Sequence, residues 1–436
     1  VKIDGRMAGE AVERGGRIGV VATVASTLDP TARLIERQAR AQGNTVEVRR
    51  YLVEGAFDVL VGGDAARHDQ MVAAEIERAA AQADVVVLAQ ASMARLVPQL
   101  EGKLAVPVLS SPDRGVAELA ETLARSEQAL LLLNRRGFAP YLLCADCGLT
   151  FRCPNCAITL TFHSGRRQLR CHYCDHAEPP PEACPRCLGS GLAPQGAGTE
   201  RLEQELAERF PQARLARMDR DTTGRKGAHQ ELVERMSAGE IDILVGTQMV
   251  AKGHDFPAVT LVGVVGADTS LNLPDFRSAE RTFALLAQVA GRAGRGERPG
   301  RVLIQTFSPE HYALDSAARH DYEGFYAQEI GFREGLGYPP FGHLVNLVLS
   351  GNDGPKVQRA TEALAAALAN RAGAAEVLGP APCPLARLRG KSRFQVLLKA
   401  PERPSLRRLL ARLPDLRKKL PAGVALAVDV DPVDML

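Results

Sequence analysis

Cys144/Cys147, Cys153/Cys156, Cys171/Cys174 and Cys184/Cys187 form four Cys-x-x-Cys pairs that take up eight of the nine cysteines in the chain. Two thiolates two residues apart in a tight turn reach one tetrahedral ion at about 2.3 Å, and two such pairs complete a closed four-sulfur site. The spacing predicts two zinc ions. Turn formers flank the pairs, among them Gly148, Pro154, Pro185 and Gly189, and few apolar runs lie between them. Metal is therefore expected to take the place of a core. A disulfide framework is the competing chemistry, but no secretory signal precedes the pairs.

Two other stretches have the composition to meet phosphates. Gly246-Thr247-Gln248-Met249-Val250-Ala251-Lys252-Gly253-His254-Asp255 follows an apolar run. Gly246 and Gly253 permit close backbone approach, Thr247 and Gln248 offer hydrogen bonds, and Lys252 and Asp255 can pair with phosphate, ribose or each other. Gln288-Val289-Ala290-Gly291-Arg292-Ala293-Gly294-Arg295 ends a predicted helix. Arg292 and Arg295, three apart on a helical turn, would project as two guanidinium groups able to stabilise a transferring phosphoryl group, with Gln288 beside them. Arg135, Arg136, Lys391 and Arg393 are candidate DNA contacts.

The elements that must position these groups alternate strand with helix. Residues 17–24 read as a buried strand, 30–42 as a helix, 46–53 as a strand, 68–82 as a helix, 84–91 as an apolar strand and 106–110 as a short one. That is a parallel α/β sheet, whose strand ends carry the polar residues Thr23, Glu54, Gln90, Ser92, Ser110 and Ser111. A second series begins with a helix over 116–124 and the strand Gln128-Ala-Leu-Leu-Leu-Leu. It resumes after the cysteines with a helix from Thr199, strands at 215–219, 241–245, 259–265 and 301–306, and helices at 228–238 and 278–290. From about Gly342 a two-layer α+β pattern follows: strand 344–349, helix 356–372, a Pro380–Pro384 loop, strand 394–399, helix 406–420 and strand 424–430.

The 436 residues are 45% hydrophobic and 24% charged, enough for several cores. No tract approaches a membrane span. The net charge of +3 is unevenly spread: residues 1–124 hold 14 Lys/Arg against 17 Asp/Glu, leaving 40 against 34 for the rest. The basic bias of the larger part is compatible with nucleic acid. Trp is absent and aromatics are 5%, so any base stacking rests on a few Tyr, Phe or Arg planes.

Arg-Ile-Gly-Val-Val-Ala-Thr, Val-Glu-Gly-Ala-Phe, Leu-Ala-Gln-Ala-Ser-Met and Val-Leu-Ser-Ser-Pro give residues 4–119 a resemblance to the second lobe of the aspartate/glutamate/hydantoin racemase-like family. That family works with one cysteine from each lobe. Here no cysteine precedes Cys144, and Gln90-Ala91-Ser92 stands where the thiol is expected, so racemisation is not. Residues 116–436 resemble the PriA (primosomal protein N′) family of superfamily-2 replication restart helicases. The resemblance rests on Asn134-Arg-Arg-Gly-Phe-Ala-Pro, the eight cysteines, Gly198-Thr-Glu, Asp219-Arg-Asp-Thr-Thr, the Gly246 and Gln288 stretches, and Asp275-Phe-Arg-Ser-Ala-Glu-Arg.

This second resemblance implies nested zinc sites, with Cys144, Cys147, Cys184 and Cys187 on one ion and Cys153, Cys156, Cys171 and Cys174 on the other. It also implies 3′–5′ unwinding coupled to ATP hydrolysis, primosome assembly at stalled forks, DNA forks and single strands as ligands, and primosome and single-strand-binding proteins as partners. A cytoplasmic monomer is expected. The family's first helicase lobe is missing, because no Gly-x-x-x-x-Gly-Lys-Ser/Thr occurs; Gly390-Lys391-Ser392 precedes a strand and lacks the first glycine. ATP and Mg2+ are therefore expected only if that lobe is supplied.

The expected fold is α/β throughout its larger part. A racemase-like lobe spans 1–115, a RecA-like lobe 116–143 and 188–341, a two-zinc insertion 144–187, and an α+β DNA-binding domain 342–436. A non-enzymatic, zinc-dependent fork-binding module is the alternative to the helicase reading, with a racemase-like enzyme bearing an appended zinc region behind both.

Overall fold

The computed structural model describes residues 3–61, 64–100, 102–133, 140–144, 148–163, 166–186, 192–195, 199–219, 222–223, 225, 227–247, 249–250, 256–294, 298–370 and 372–435. After helix α1 (Ile3–Arg14) come β1 (Arg17–Ala22), α2 (Ala25–Ala41), β2 (Glu47–Leu52), α3 (Ala56–Val61), α4 (Ala65–Ala80), β3 (Val85–Leu88), a 3-10 turn (Ala91–Leu96), α5 (Val97–Leu100) and β4 (Val108–Leu109). The sheet is parallel in the order β2-β1-β3-β4. β3 is apolar and buried at all four positions, as a strand covered on both faces must be. Helix α1 lies outside the expected elements, yet Met7, Ala8, Ala11 and Val12 form the stripe by which it joins this core. Helix α2 starts five residues ahead of Pro30. The Thr27 N–H and hydroxyl both reach the Val24 carbonyl and begin the helix there.

Helix α6 (Ser111–Ala124) continues through the boundary expected at 115/116. It packs against α1 on one side and against β5 (Gln128–Leu133) and the second sheet on the other, where Leu119 and Leu123 join that sheet's core. β5 is buried at all six positions. The chain then leaves the sheet for five short strands: β6 (Tyr141–Cys144), β7 (Thr161–His163), β8 (Gln168–Arg170), β9 (Ala177–Glu178) and β10 (Leu192–Gln195). They pair antiparallel in the order β10-β6-β7-β8-β9, so the pairing of β10 with β6 returns the chain to where it left.

The parallel sheet resumes with α7 (Thr199–Arg209), β11 (Leu215–Met218), α8 (Ala228–Ser237), β12 (Ile243–Gly246), β13 (Val259–Val265), α9 (Asp268–Leu271), α10 (Ser278–Ala290), β14 (Arg301–Ile304), α11 (Tyr312–Ala318) and α12 (Tyr322–Leu336). Its order is β11-β12-β5-β13-β14, all parallel, with β5 at the centre. α6 and α7 cover one face, and α8, α10, α11 and α12 contribute to the core on the other. The one polar position of β5 is used structurally. Gln128 donates its side-chain amide to the Met236 and Ile241 carbonyls, tying the end of α8 to the approach of β12.

The last unit comprises β15 (His343–Gly351), α13 (Gly354–Ala369), β16 (Glu376–Leu388), β17 (Lys391–Ala400), α14 (Arg403–Leu410), α15 (Leu413–Lys418) and β18 (Ala425–Val430). The antiparallel order is β16-β17-β15-β18, with α13 and α14 on one face. The Pro380–Pro384 loop is instead part of β16, whose register against β17 shifts there. The single helix expected over 406–420 is two, because Pro414 near the start of α15 has no N–H to continue the preceding turn.

Replacing Gln128 by Leu strands two buried carbonyls and is expected to lower unfolding free energy by about 2 kcal/mol or more in a denaturant titration. His311 accepts the Ala313 N–H and caps α11, and burial, helped by the Arg152 charge, lowers its pKa from 6.5 to about 4. The unfolded chain takes that proton first. This contribution to stability is complete above about pH 6.5 and declines as pH falls through about 4. Thermal melts of His311→Asn, which keeps a capping acceptor, should be less acid-sensitive than wild type across that window.

Candidate metal centre

The Sγ atoms of Cys153, Cys156, Cys171 and Cys174 all lie within 4.8 Å of one another, and those of Cys153 and Cys174 are 3.5 Å apart. Sulfurs around a tetrahedral zinc stand about 3.8 Å apart, so the set is of the size that ion takes. Each pair sits in the same turn. The Cys153 carbonyl accepts the Ala157 N–H while its own N–H donates to Ile158; the Cys171 carbonyl accepts from Asp175 while its N–H donates to His176. Ala157 and Asp175, each one residue past the second cysteine, have φ of 54° and 66°, the left-handed step that folds both thiols back to one point.

Hydrogen bonding from Cys156 and then Cys171 holds the Cys153 thiol well below the usual range, contacts with Cys153 and Cys171 raise Cys156, and the contact with Cys153 raises Cys171. A divalent ion lets all four sulfurs ionise. The Tyr173 N–H donates to the Cys171 sulfur at 3.4 Å and the Asn155 amide to Cys174 at 3.7 Å, both favouring thiolate.

The outer pairs are only partly described, since Cys147 and Cys187 lie outside the described residues. Cys144 and Cys184 are buried. Cys144 has the same turn as the inner pairs: its carbonyl accepts from Gly148, its N–H donates to Leu149, and Gly148 has φ of 73°. A Cβ at Gly148 would come 2.3 Å from the Phe307 carbonyl, so this turn rests directly on the RecA-like lobe.

The insertion does have a core, contrary to the sequence expectation, but it shares that core with its neighbours. Leu142, Ile158, Leu160, Leu169 and Tyr173 pack with Tyr338, Leu344 and Leu397 from the chain's last part. Polar links join the same surfaces, one of them from the His172 ring Nδ1 to the Pro382 carbonyl at 2.7 Å. Tyr338 donates its hydroxyl to the Cys156 carbonyl at 3.1 Å, Gln395 donates to the His172 carbonyl at 2.7 Å, and the Phe276 N–H donates to the Tyr173 hydroxyl at 3.3 Å. Asp275 of the same Asp-Phe-Arg segment accepts the Met435 N–H. Its role as a joint could not be read without knowing what lay opposite.

The phosphate-facing stretches are placed in part. Gly246 ends β12, where a Cβ would meet the Val250 Cγ2 at 1.9 Å and the Met218 carbonyl at 2.7 Å. The close approach there comes from the chain itself. The Thr247 carbonyl accepts the Val250 N–H. Gln248, Lys252, Gly253, Asp255 and Arg295 lie outside the described residues. Gln288 is exposed near the end of α10, and Arg292 is half-buried in the turn after it. The helix stops at Gly291, Arg292 lies in the turn past it, and Gly294 is left-handed (φ 71°).

Of the candidate DNA contacts, Arg135 and Arg136 are outside the described residues. Lys391 is exposed and Arg393 half-buried on β17, next to the hairpin tip at Arg389 and Gly390. Arg387 and Arg389 are exposed on the same tip. In the first sheet the Gln90 side-chain oxygen Oε1 accepts both the Thr23 N–H and hydroxyl, at 2.7 and 2.9 Å. Those two strand-end groups satisfy each other.

Four known families match in succession: Asp/Glu/Hydantoin racemase over 1–119, the PriA DNA helicase Cys-rich region (CRR) domain over 153–179, the helicase conserved C-terminal domain over 197–297, and the primosomal protein N C-terminal domain over 334–433. The chain is 45% identical over 322 residues to the replication restart protein PriA of Bacillus subtilis, covering 73% of this chain and 40% of that protein. It is 43% identical to that of Synechocystis, covering 73% and 38%. It thus spans about two fifths of the length of these relatives. An allantoin racemase structure from Pseudomonas fluorescens is 27% identical over 29% of this chain and 52% of that one, with a TM-score of 0.22, too low to bear on the fold.

Cys153→Ser is expected to lower zinc content by one ion per chain in metal analysis. Because the inner knuckles share a core with the last part of the chain, limited proteolysis should show new cuts beyond residue 342 as well as inside the insertion. Tyr338→Phe should keep its metal and lose about 1 kcal/mol.

Proposed function

Since residues beyond 116 carry the C-terminal portion of the PriA family, we propose that the chain supplies the second RecA-like lobe, zinc region and C-terminal domain of a replication restart helicase. The 45% identity across the cysteines and the RecA-like lobe together is the observation that carries this reading. Two zinc ions hold the insertion, one on Cys153, Cys156, Cys171 and Cys174, the other on Cys144, Cys147, Cys184 and Cys187. Their chemistry is structural, since four thiolates leave no open position for substrate.

The catalytic share of this lobe is electrostatic. Arg292, Arg295 and Gln288 would supply positive charge and a hydrogen bond to a nucleotide held with Mg2+ by another lobe, and Gly246, Thr247, Gln248, Lys252, Gly253 and Asp255 would supply this lobe's contacts to it. Arginines in that role accelerate phosphoryl transfer by about 10³–10⁵, but only on a nucleotide already positioned by a phosphate-binding loop. The 436 residues contain no such loop. That favours a second reading for the chain by itself, a zinc-dependent module that binds forks without turnover. DNA contacts fall to Arg135, Arg136, Lys391 and Arg393, and primosome and single-strand-binding proteins are the partners of a cytoplasmic monomer. No helix among the described residues is long and apolar enough to cross a membrane.

The chain alone should show no DNA-stimulated phosphate release above background, and Arg292→Ala should leave that unchanged. Turnover that disappears in the variant would mean that the missing half-site is present. DNA affinity should fall steeply with salt and favour a fork over a blunt duplex; anisotropy titrations at several salt concentrations measure both. Equal affinities would count against fork recognition.

A further inference from the structure

Between the first inner knuckle, the start of α10 and α12 lies a cavity of about 320 Å3, a volume suited to a small organic group. Its floor is closed by Cys156, Leu271, Asp275 and Tyr338, all buried. Its mouth is open: Phe332 is 57% exposed, and Arg152 is exposed beside it. The walls are aromatic planes. The rings of Tyr312 and Phe332 are 5.4 Å apart, His311 stacks on Tyr312 at 4.6 Å, and Phe276 stacks on Tyr338 at 5.0 Å.

The charges at this cavity are nearly all closed on one another. Asp275 pairs with Arg281, Glu329 pairs with Arg333 and accepts the Tyr312 hydroxyl, and Arg333 also reaches Glu280. Arg152 is the exception, with no carboxylate partner among the described residues. The ligand this selects is a flat ring joined to one anionic group. A simple anion has no use for stacked rings, and an aliphatic side chain none for the cation; a nucleotide triphosphate would need more than one free positive charge.

The geometry points to a nucleobase site: one base of a single DNA strand enters the cavity, stacks beside Tyr312 and Phe332, and leaves its phosphate at Arg152. This rests on the DNA-binding reading above and adds to it a place on the zinc side of the RecA-like lobe. None of the residues singled out as DNA contacts lines the cavity.

The test is a short oligo(dT) strand carrying a single 2-aminopurine, titrated into the full chain by anisotropy and by base fluorescence. Wild type should bind and quench the probe. Phe332→Ala should weaken binding about tenfold and abolish quenching, Phe332→Tyr should restore both, and Arg152→Gln should weaken binding while leaving quenching at saturation intact. Phe332 and Arg152 are exposed, and unchanged melting of each variant confirms its fold. A wild type that binds no strand at all would sink the DNA reading itself. Strand binding that is identical in wild type, Phe332→Ala and Arg152→Gln would overturn the site alone, as would quenching of free 2-aminopurine nucleotide without quenching of the labelled strand.

Discussion

Tyr173 is fully buried between two cysteines of the four-sulfur cluster, and the ring and its neighbours join three parts of the molecule at once. Its N–H donates to the Cys171 sulfur, its hydroxyl accepts the Phe276 N–H of the RecA-like lobe, and its ring meets Tyr338 edge-on at 6.5 Å. Tyr338 in turn stacks on Phe276 and donates to the Cys156 carbonyl. These contacts depend on two knuckles holding their turns at fixed separation, which is what a four-sulfur metal site imposes. The zinc region is thus a joint whose rigidity is borrowed from coordination and whose apolar surface is completed by its neighbours.

That arrangement explains what the sequence disclosed and what it withheld. The four Cys-x-x-Cys pairs and the apolar strand runs are local signals: the inner sulfurs converge, and α10 spans the predicted residues without change. Residues such as Leu142, Ile158 and Leu169 look too sparse for a core because Tyr338, Leu344, Leu397 and Met435, which complete it, come from beyond residue 337. The same limit hid the role of Asp275 and Phe276. Their motif was visible, but its partners Tyr173, Tyr338 and Met435 are remote in sequence. Pro380 misled in the opposite direction, since a proline read as a loop is accommodated within β16 at a register shift against β17.

The first sheet shows how strand-end chemistry is retired. Such positions commonly face ligands in parallel sheets. Here Gln90 turns its side-chain oxygen onto Thr23, and both are buried.

Helix α6 gives the junction between the two parallel sheets a property that a flexible linker would lack. It has neighbours in both cores, and only residues 125–127 separate it from β5. In a helix each residue turns the chain by about 100° and advances it by about 1.5 Å. A one-residue insertion or deletion inside 111–124 would therefore swing everything ahead of it around the axis and break one of the two packings. Two such units can be joined through a shared helix only when their phases agree, so the junction records a rotational match as well as a sequence one.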